Sequence, residues 1–169
     1  KGVRLVLAAA DSANRLLGAP RLQRWTESSK KLSGGRIPSW SPAMPQPVRW
    51  VENIKPPADT VRPRVVYLPS CASHTMGPSR SDSEQVPLLA KTRQLLEKAG
   101  YEVVFPDAMD SLCCGQPFAS KGYPQQADRK RAEMLAAVKR ASREGMDPIY
   151  CDTSPCTLRL LQEQSHGLN

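Results

Sequence analysis

The stretch VVYLPSC, residues 65–71, decides how this chain folds. A short unbroken apolar run closed by Pro69-Ser70 suits a strand buried on both faces, and such strands belong to parallel sheets. The same grammar recurs twice downstream. YEVVFP at 101–106 and PIYCD at 148–152 read as a second and a third strand. Between the first two, residues 83–99 carry apolar side chains at 88, 89, 95, 96 and 99, a helical spacing with Gly100 as its stop. A longer helix is expected over 124–144, ended by Gly145, and Ser154-Pro155 reads as the N-cap and first residue of a last helix. The order β-α-β-α-β-α predicts a short parallel sheet with helices on its faces and right-handed crossovers. The fold class is therefore α/β, a three-layer Rossmann-like half-domain over residues 63–169.

What precedes it has a different character. Residues 2–17 read as a helix stopped by Gly18 and Pro20, and residues 21–32 as a short amphipathic helix ending at Gly34-Gly35. Residues 36–62 are proline-rich and extended, with Trp40 and Trp50 expected to pack on a neighbouring surface. Residues 1–62 thus form a helical and Pro-rich arm. The chain carries a net charge of +8, and the arm holds most of it, with 11 basic against 4 acidic residues where residues 63–169 hold 13 against 12. The arm's cations are scattered and follow no zinc-finger or RNA-binding spacing, so no nucleic-acid partner is expected. An acidic partner domain or an anionic membrane face fits them better. The longest apolar run near the start, residues 5–10, is too short to span a bilayer, which takes about 20 apolar residues. The start at Lys1, without initiator Met or signal pattern, suggests a fragment of a longer protein. Five cysteines, an odd number, point to reduced thiols in a cytoplasmic setting.

Those cysteines follow the strands. Cys71 lies past the first, Cys113 and Cys114 in the loop after the second, and Cys151 and Cys156 flank the turn after the third. All fall at the carboxyl edge of the sheet, where open α/β folds bind ligands. Adjacent strands are about 4.8 Å apart, so several sulfurs can meet in one place. Convergent thiolates suit iron-sulfur groups or zinc. Gly115 allows backbone angles closed to other residues and a close approach of the chain to a ligand, and helix N-termini near Pro124 and Ser154 favour thiolates. His74 and Cys151 are further ligand candidates. The bland readings are a loop histidine for the one and core-facing cysteines for Cys151, Cys113 and Cys114.

Three segments carry a resemblance: YLPSC at 67–71, LCCGQPFASKG at 112–122 and CDTSPCTLRL at 151–160. The order Cys71, Cys113-Cys114-Gly115, Cys156 resembles one copy of the cysteine-rich CCG domain of heterodisulfide reductase and of the iron-sulfur subunits of glycolate oxidase and anaerobic glycerol-3-phosphate dehydrogenase. The three segments resemble more closely the C-terminal part of large FAD-linked D-lactate dehydrogenases, whose connecting segment WSPAMP at 40–45 also resembles. The resemblance implies a parent with an FAD domain, a ferredoxin-like segment and two CCG repeats. It implies an electron-transfer module in which Cys71, Cys113, Cys114, Gly115 and Cys156 belong to the site of a 4Fe-4S-type cluster in the full-length protein, with zinc or no metal as the alternative in this fragment, and no catalysis by this part alone. The implied partners are a second CCG repeat, the upstream FAD and ferredoxin-like domains, an electron acceptor and, as a further candidate, a second copy of the chain. The implied location is cytoplasmic, with the inner-membrane face as an option. Two features depart from the pattern. Arg159 stands where the family repeat closes a Cys-x-x-Cys pair with Cys156, and a single repeat is present. Phe118, Leu158 and Leu161 are expected to be exposed, as the surface for the second repeat.

Overall fold

The computed structural model describes residues 2–48 and 62–162, so the expectation for Trp50 lies outside the described residues. The chain divides into two compact units, residues 1–49 with 75–88 and residues 50–74 with 89–169.

In the first unit, α1 (Gly2–Leu17) and α2 (Ala19–Leu32) meet at Gly18, whose φ of +76° makes the sharp break. Pro20 sits in the first turn of α2, where a missing N–H costs nothing. Trp40 is buried, and its N–H donates to Thr26 Oγ1 at 3.0 Å, which fastens the chain after α2 back onto that helix. β1 (Pro45–Pro47) pairs antiparallel with β3 (Met76–Ser79). Residues 77–78, expected in a loop, thus form half of a two-stranded ribbon. The pairing is long-range and carries little apolar signal, which is why the pattern along the chain does not show it.

The second unit holds the expected parallel sheet. β2 (Arg64–Leu68) lies between β4 (Glu102–Val104) and β5 (Ile149–Cys151), parallel to both. Alternate residues of β2 serve opposite faces. Val65 and Tyr67 pack with Val103, Phe105 and Leu89 of α4 (Leu88–Lys98). Leu68 packs with Leu112, Cys114 and with Met134, Ala137 and Val138 of α6 (Pro124–Ala141). Full burial of one large apolar side chain is worth about 1.5–3 kcal/mol, and four consecutive residues of β2 are buried.

Helix ends differ from expectation for identifiable reasons. α4 begins at Leu88, since Pro87 in a helix running from residue 83 would lack its N–H and clash with the preceding turn. α6 stops at Ala141, because Arg143, Glu144 and Gly145 all take positive φ, with Gly145 N–H donating to Ser142 Oγ at 3.1 Å. α7 (Ser154–Leu161) has Thr153 at its N-cap position, so Ser154 is its first residue rather than its cap. Two further short helices, α3 (Cys71–Thr75) and α5 (Gln116–Ala119), follow the first two strands and carry no clear sequence signal.

Asp152, just past β5, ties two strand ends together. Its carboxylate accepts from Tyr67 Oη at 2.9 Å, from the Ser70 N–H at 2.8 Å and from Thr153 Oγ1 at 2.9 Å. Burial, before any other cause, pushes the Tyr67 phenol above its ordinary value, so it stays protonated and donates. Hydrogen bonds to charged groups are worth about 1.5–3 kcal/mol each. Asp152→Ala should lower unfolding stability by about 2–4 kcal/mol and Tyr67→Phe by about 1–2 kcal/mol. Urea unfolding checks the order; equal losses would show that the Ser70 bond contributes nothing.

Candidate functional site

Three connections leave the carboxyl ends of the three strands, and each brings thiols to one place in the second unit. Cys71 opens α3, two residues beyond the Pro69 that ends the β2 run. Cys113 and Cys114 follow the 3-10 turn Met109–Ser111 after β4. Cys156 lies in the first turn of α7, after β5. The Cys71 and Cys113 sulfurs are 3.9 Å apart, and the Cys114 and Cys156 sulfurs 3.3 Å. All are free thiols; Cys114 is buried and the other three are half-buried.

Gly115 has φ +87° and is the N-cap of α5. A Cβ there would stand 2.2 Å from the Ala127 carbonyl oxygen of α6. The close approach that needs glycine is therefore to a helix backbone. It seats the CCG turn against the first turns of α6, and the Gly115 N–H then donates to Cys113 Sγ at 3.4 Å.

That arrangement splits the thiols electrostatically. Hydrogen bonds from Cys114 and then Cys71 lower the Cys113 pKa against the opposing effect of burial, with help from the Gly115 N–H and the Lys130 charge. Cys71 and Cys114 are raised, first by the hydrogen-bonding interaction each has with Cys113 and then, for Cys114, by that with Cys156. Cys156 is lowered, chiefly by the hydrogen bond from Cys114. Without a ligand the site is a hydrogen-bonded set in which Cys113 is the favoured thiolate.

The other candidates lie differently. Cys151 packs against the core cluster of Leu68 and Met134, with its Sγ directed to the Thr153 carbonyl at 3.6 Å. His74 is buried on α3, its N–H donating to the Ser70 carbonyl at 3.1 Å. Arg159, on the α7 turn after Cys156, donates to Asp128 Oδ1 at 2.6 Å, so that position is taken by an ion pair across α6 and α7. Phe118, Leu158 and Leu161 are exposed. Lys130 and Asp152 support the site and were not found from sequence, since neither has a motif and both depend on which way α6 and the β5 turn face.

Among the described residues no group of three or more His, Cys, Asp or Glu side chains is placed to hold a single metal ion. A tetrahedral zinc needs every thiolate about 2.3 Å from one point, hence all sulfur pairs about 3.8 Å apart. The sulfurs of Cys71 and Cys113 at 3.9 Å and of Cys114 and Cys156 at 3.3 Å stand near the separation of two thiolates on one metal atom. The donor chemistry, four thiols with a backbone N–H aimed at one sulfur, is that of a thiolate-bound metal or iron-sulfur group.

Residues 65–160 match the family described as the CCG cysteine-rich domain. Among curated proteins, the chain is 32% identical over 82 residues to lactate utilization protein A of an Exiguobacterium species, covering 48% of this chain and 29% of that protein. It is 44% identical over 48 residues to lactate utilization protein A of Oceanobacillus iheyensis, covering 28% of this chain and 19% of that protein. The chain thus spans less than a third of the curated relatives it matches. No solved structure matches it.

Two outcomes test the geometry. Gly115→Ala should cost more than about 2 kcal/mol, because it strains a positive φ and drives a methyl into fixed backbone; a thermal melt unchanged from the parent would contradict the packing. Cys113 should keep more of its alkylation rate than an ordinary thiol as pH falls from 8.5 to 6, since a lowered pKa keeps the thiolate below the ordinary thiol value of about 8.5. Peptide mapping after iodoacetamide pulses checks this, and a tenfold loss of rate per pH unit would show an ordinary thiol.

Proposed function

We propose that this chain, which belongs to the CCG cysteine-rich domain family, is an iron-sulfur-type electron-transfer module of a lactate-linked oxidoreductase. The observation that carries the reading is the meeting of Cys71 with Cys113 and of Cys114 with Cys156 at the carboxyl edge of one parallel sheet. The names of the relatives supply the link to lactate. A bound iron-sulfur group would supply one-electron acceptance and release. The parent in this reading is an FAD-linked D-lactate dehydrogenase, with flavin and substrate on a domain other than this one.

The chain's own residues do three things for such a group. Cys71, Cys113, Cys114 and Cys156 hold it, with Cys113 already poised as a thiolate for the first bond. The Gly115 N–H supports the Cys113 sulfur, and the Lys130 charge offsets part of the negative charge that several thiolates bring. The Asp152 tie keeps the ends of β2 and β5 in register, so the loops bearing Cys71 and Cys156 do not drift apart. Cys114, buried against Leu68 and Met134, gives the site a dry wall, and hydrogen bonds to the sulfurs, nearby charge and burial set the reduction potential of a cluster.

Anaerobic reconstitution with ferrous iron and sulfide tests the reading. Several irons and matching sulfides per chain, with broad visible absorption that bleaches on dithionite, are expected. A colourless chain that takes up one zinc and no iron would overturn it in favour of a structural or docking module.

A further inference from the structure

We propose that the first unit docks on an anionic phospholipid membrane through the outer faces of α1 and α2. An amphipathic helix normally buries its apolar stripe; here α1 buries Leu7 alone of its apolar residues and turns Asp11 to the same side. Asp11 is 12% exposed and takes a bidentate ion pair from Arg80, while Arg15 reaches the same carboxylate at 3.2 Å. The outward side bears Leu5, Val6, Ala9, Leu16 and Leu17, at offsets that place them together at about 100° per residue. Leu5 is 71% and Leu16 84% exposed.

α2 adds the second half of the pattern. Arg21, Trp25, Ser28 and Leu32 recur at steps of four, three and four, so they share one side, flanked by Arg24 and Lys31. Trp25 is 66% and Leu32 91% exposed. Carboxylates on these helices are fewer than cations: Asp11 is 12% exposed and paired with Arg80 and Arg15, and Glu27, exposed four residues before Lys31, accepts from Gln23 at 3.0 Å. Among the described residues Arg21, Arg24 and Lys31 have no acidic partner in an ion pair.

The chemistry selects the occupant. Exposed leucines with a tryptophan and flanking arginines and lysine form the interfacial pattern, in which apolar groups enter the headgroup boundary and cations meet anionic lipid. A second copy of the chain would set this face, with Arg21, Arg24 and Lys31 against the one exposed carboxylate of Glu27, onto an identical cationic one. An anionic lipid surface supplies both the apolar phase and the opposite charge.

The test is sedimentation of the full chain with vesicles of phosphatidylcholine alone and with about one third phosphatidylglycerol, at low and at physiological salt. Binding to the anionic vesicles, at least tenfold weaker without phosphatidylglycerol, is expected, with a blue shift of tryptophan emission that Trp25→Phe removes. Arg21→Glu with Arg24→Glu and Lys31→Glu should weaken binding tenfold or more while leaving the circular dichroism spectrum unchanged. Leu16→Ser with Leu5→Ser should do the same without touching charge. Equal recovery in the supernatant with both vesicles, or binding indifferent to all of these changes, would overturn the proposal. So would a dimer in light scattering that shields Trp25 from a soluble quencher, since the face would then belong to a second copy.

Discussion

The second unit depends on the burial of β2 from both sides. Val65 and Tyr67 are held by α4 and Phe105, and Leu68 by α6 and Leu112. With both faces covered, the strand can be shifted neither along its neighbours nor between faces without exposing apolar surface, so its register is fixed. That register decides where the chain leaves the sheet. Parallel neighbours at a spacing of about 4.8 Å release their connections side by side, and three connections from three strands bring four sulfurs together. The thiol site is thus a consequence of topology first and of loop detail second.

Loop detail then gives the sulfurs unequal roles. The positive φ of Gly115 and its contact with the Ala127 carbonyl press the CCG turn onto α6. That placement puts Lys130 within electrostatic reach of Cys113 and buries Cys114 among Leu68, Met134 and Ala137. Two adjacent residues of one motif therefore meet opposite environments, one favouring the anion and one the neutral thiol. The glycine matters here through a helix backbone, so substituting it disturbs the thiols indirectly.

Much of this was legible in the residues because the signals were local. VVYLPSC, YEVVFP and PIYCD announced three strands through apolar runs and their stops, and α1 was readable to its ends from Gly18 and the spacing before it. The parallel sheet followed from the alternation. What stayed hidden was non-local or carried by residues without a preference for their observed state. β3 exists only through pairing with β1, thirty residues earlier in the chain. The end of α6 rests on Arg143 and Glu144 in left-handed conformations that neither residue favours. The reading of residues 2–17 as a helix assigned no side of α1 to the interior, and the structure buries Leu7 while leaving Leu5 and Leu16 exposed. At the site, sequence placed all five cysteines on one edge, and coordinates were needed to bring Cys71 beside Cys113 and Cys114 beside Cys156, with the Cys151 sulfur directed to the Thr153 carbonyl.

The most direct measurement of the central claim is iron retained after reconstitution and desalting in five single variants, Cys71→Ser, Cys113→Ser, Cys114→Ser, Cys151→Ser and Cys156→Ser. Clear loss of iron and of visible absorption in four of them, with Cys151→Ser retaining the parent's content, is the predicted result. Loss of iron in Cys151→Ser together with full retention in Cys71→Ser or Cys156→Ser would contradict a site assembled from the three strand ends.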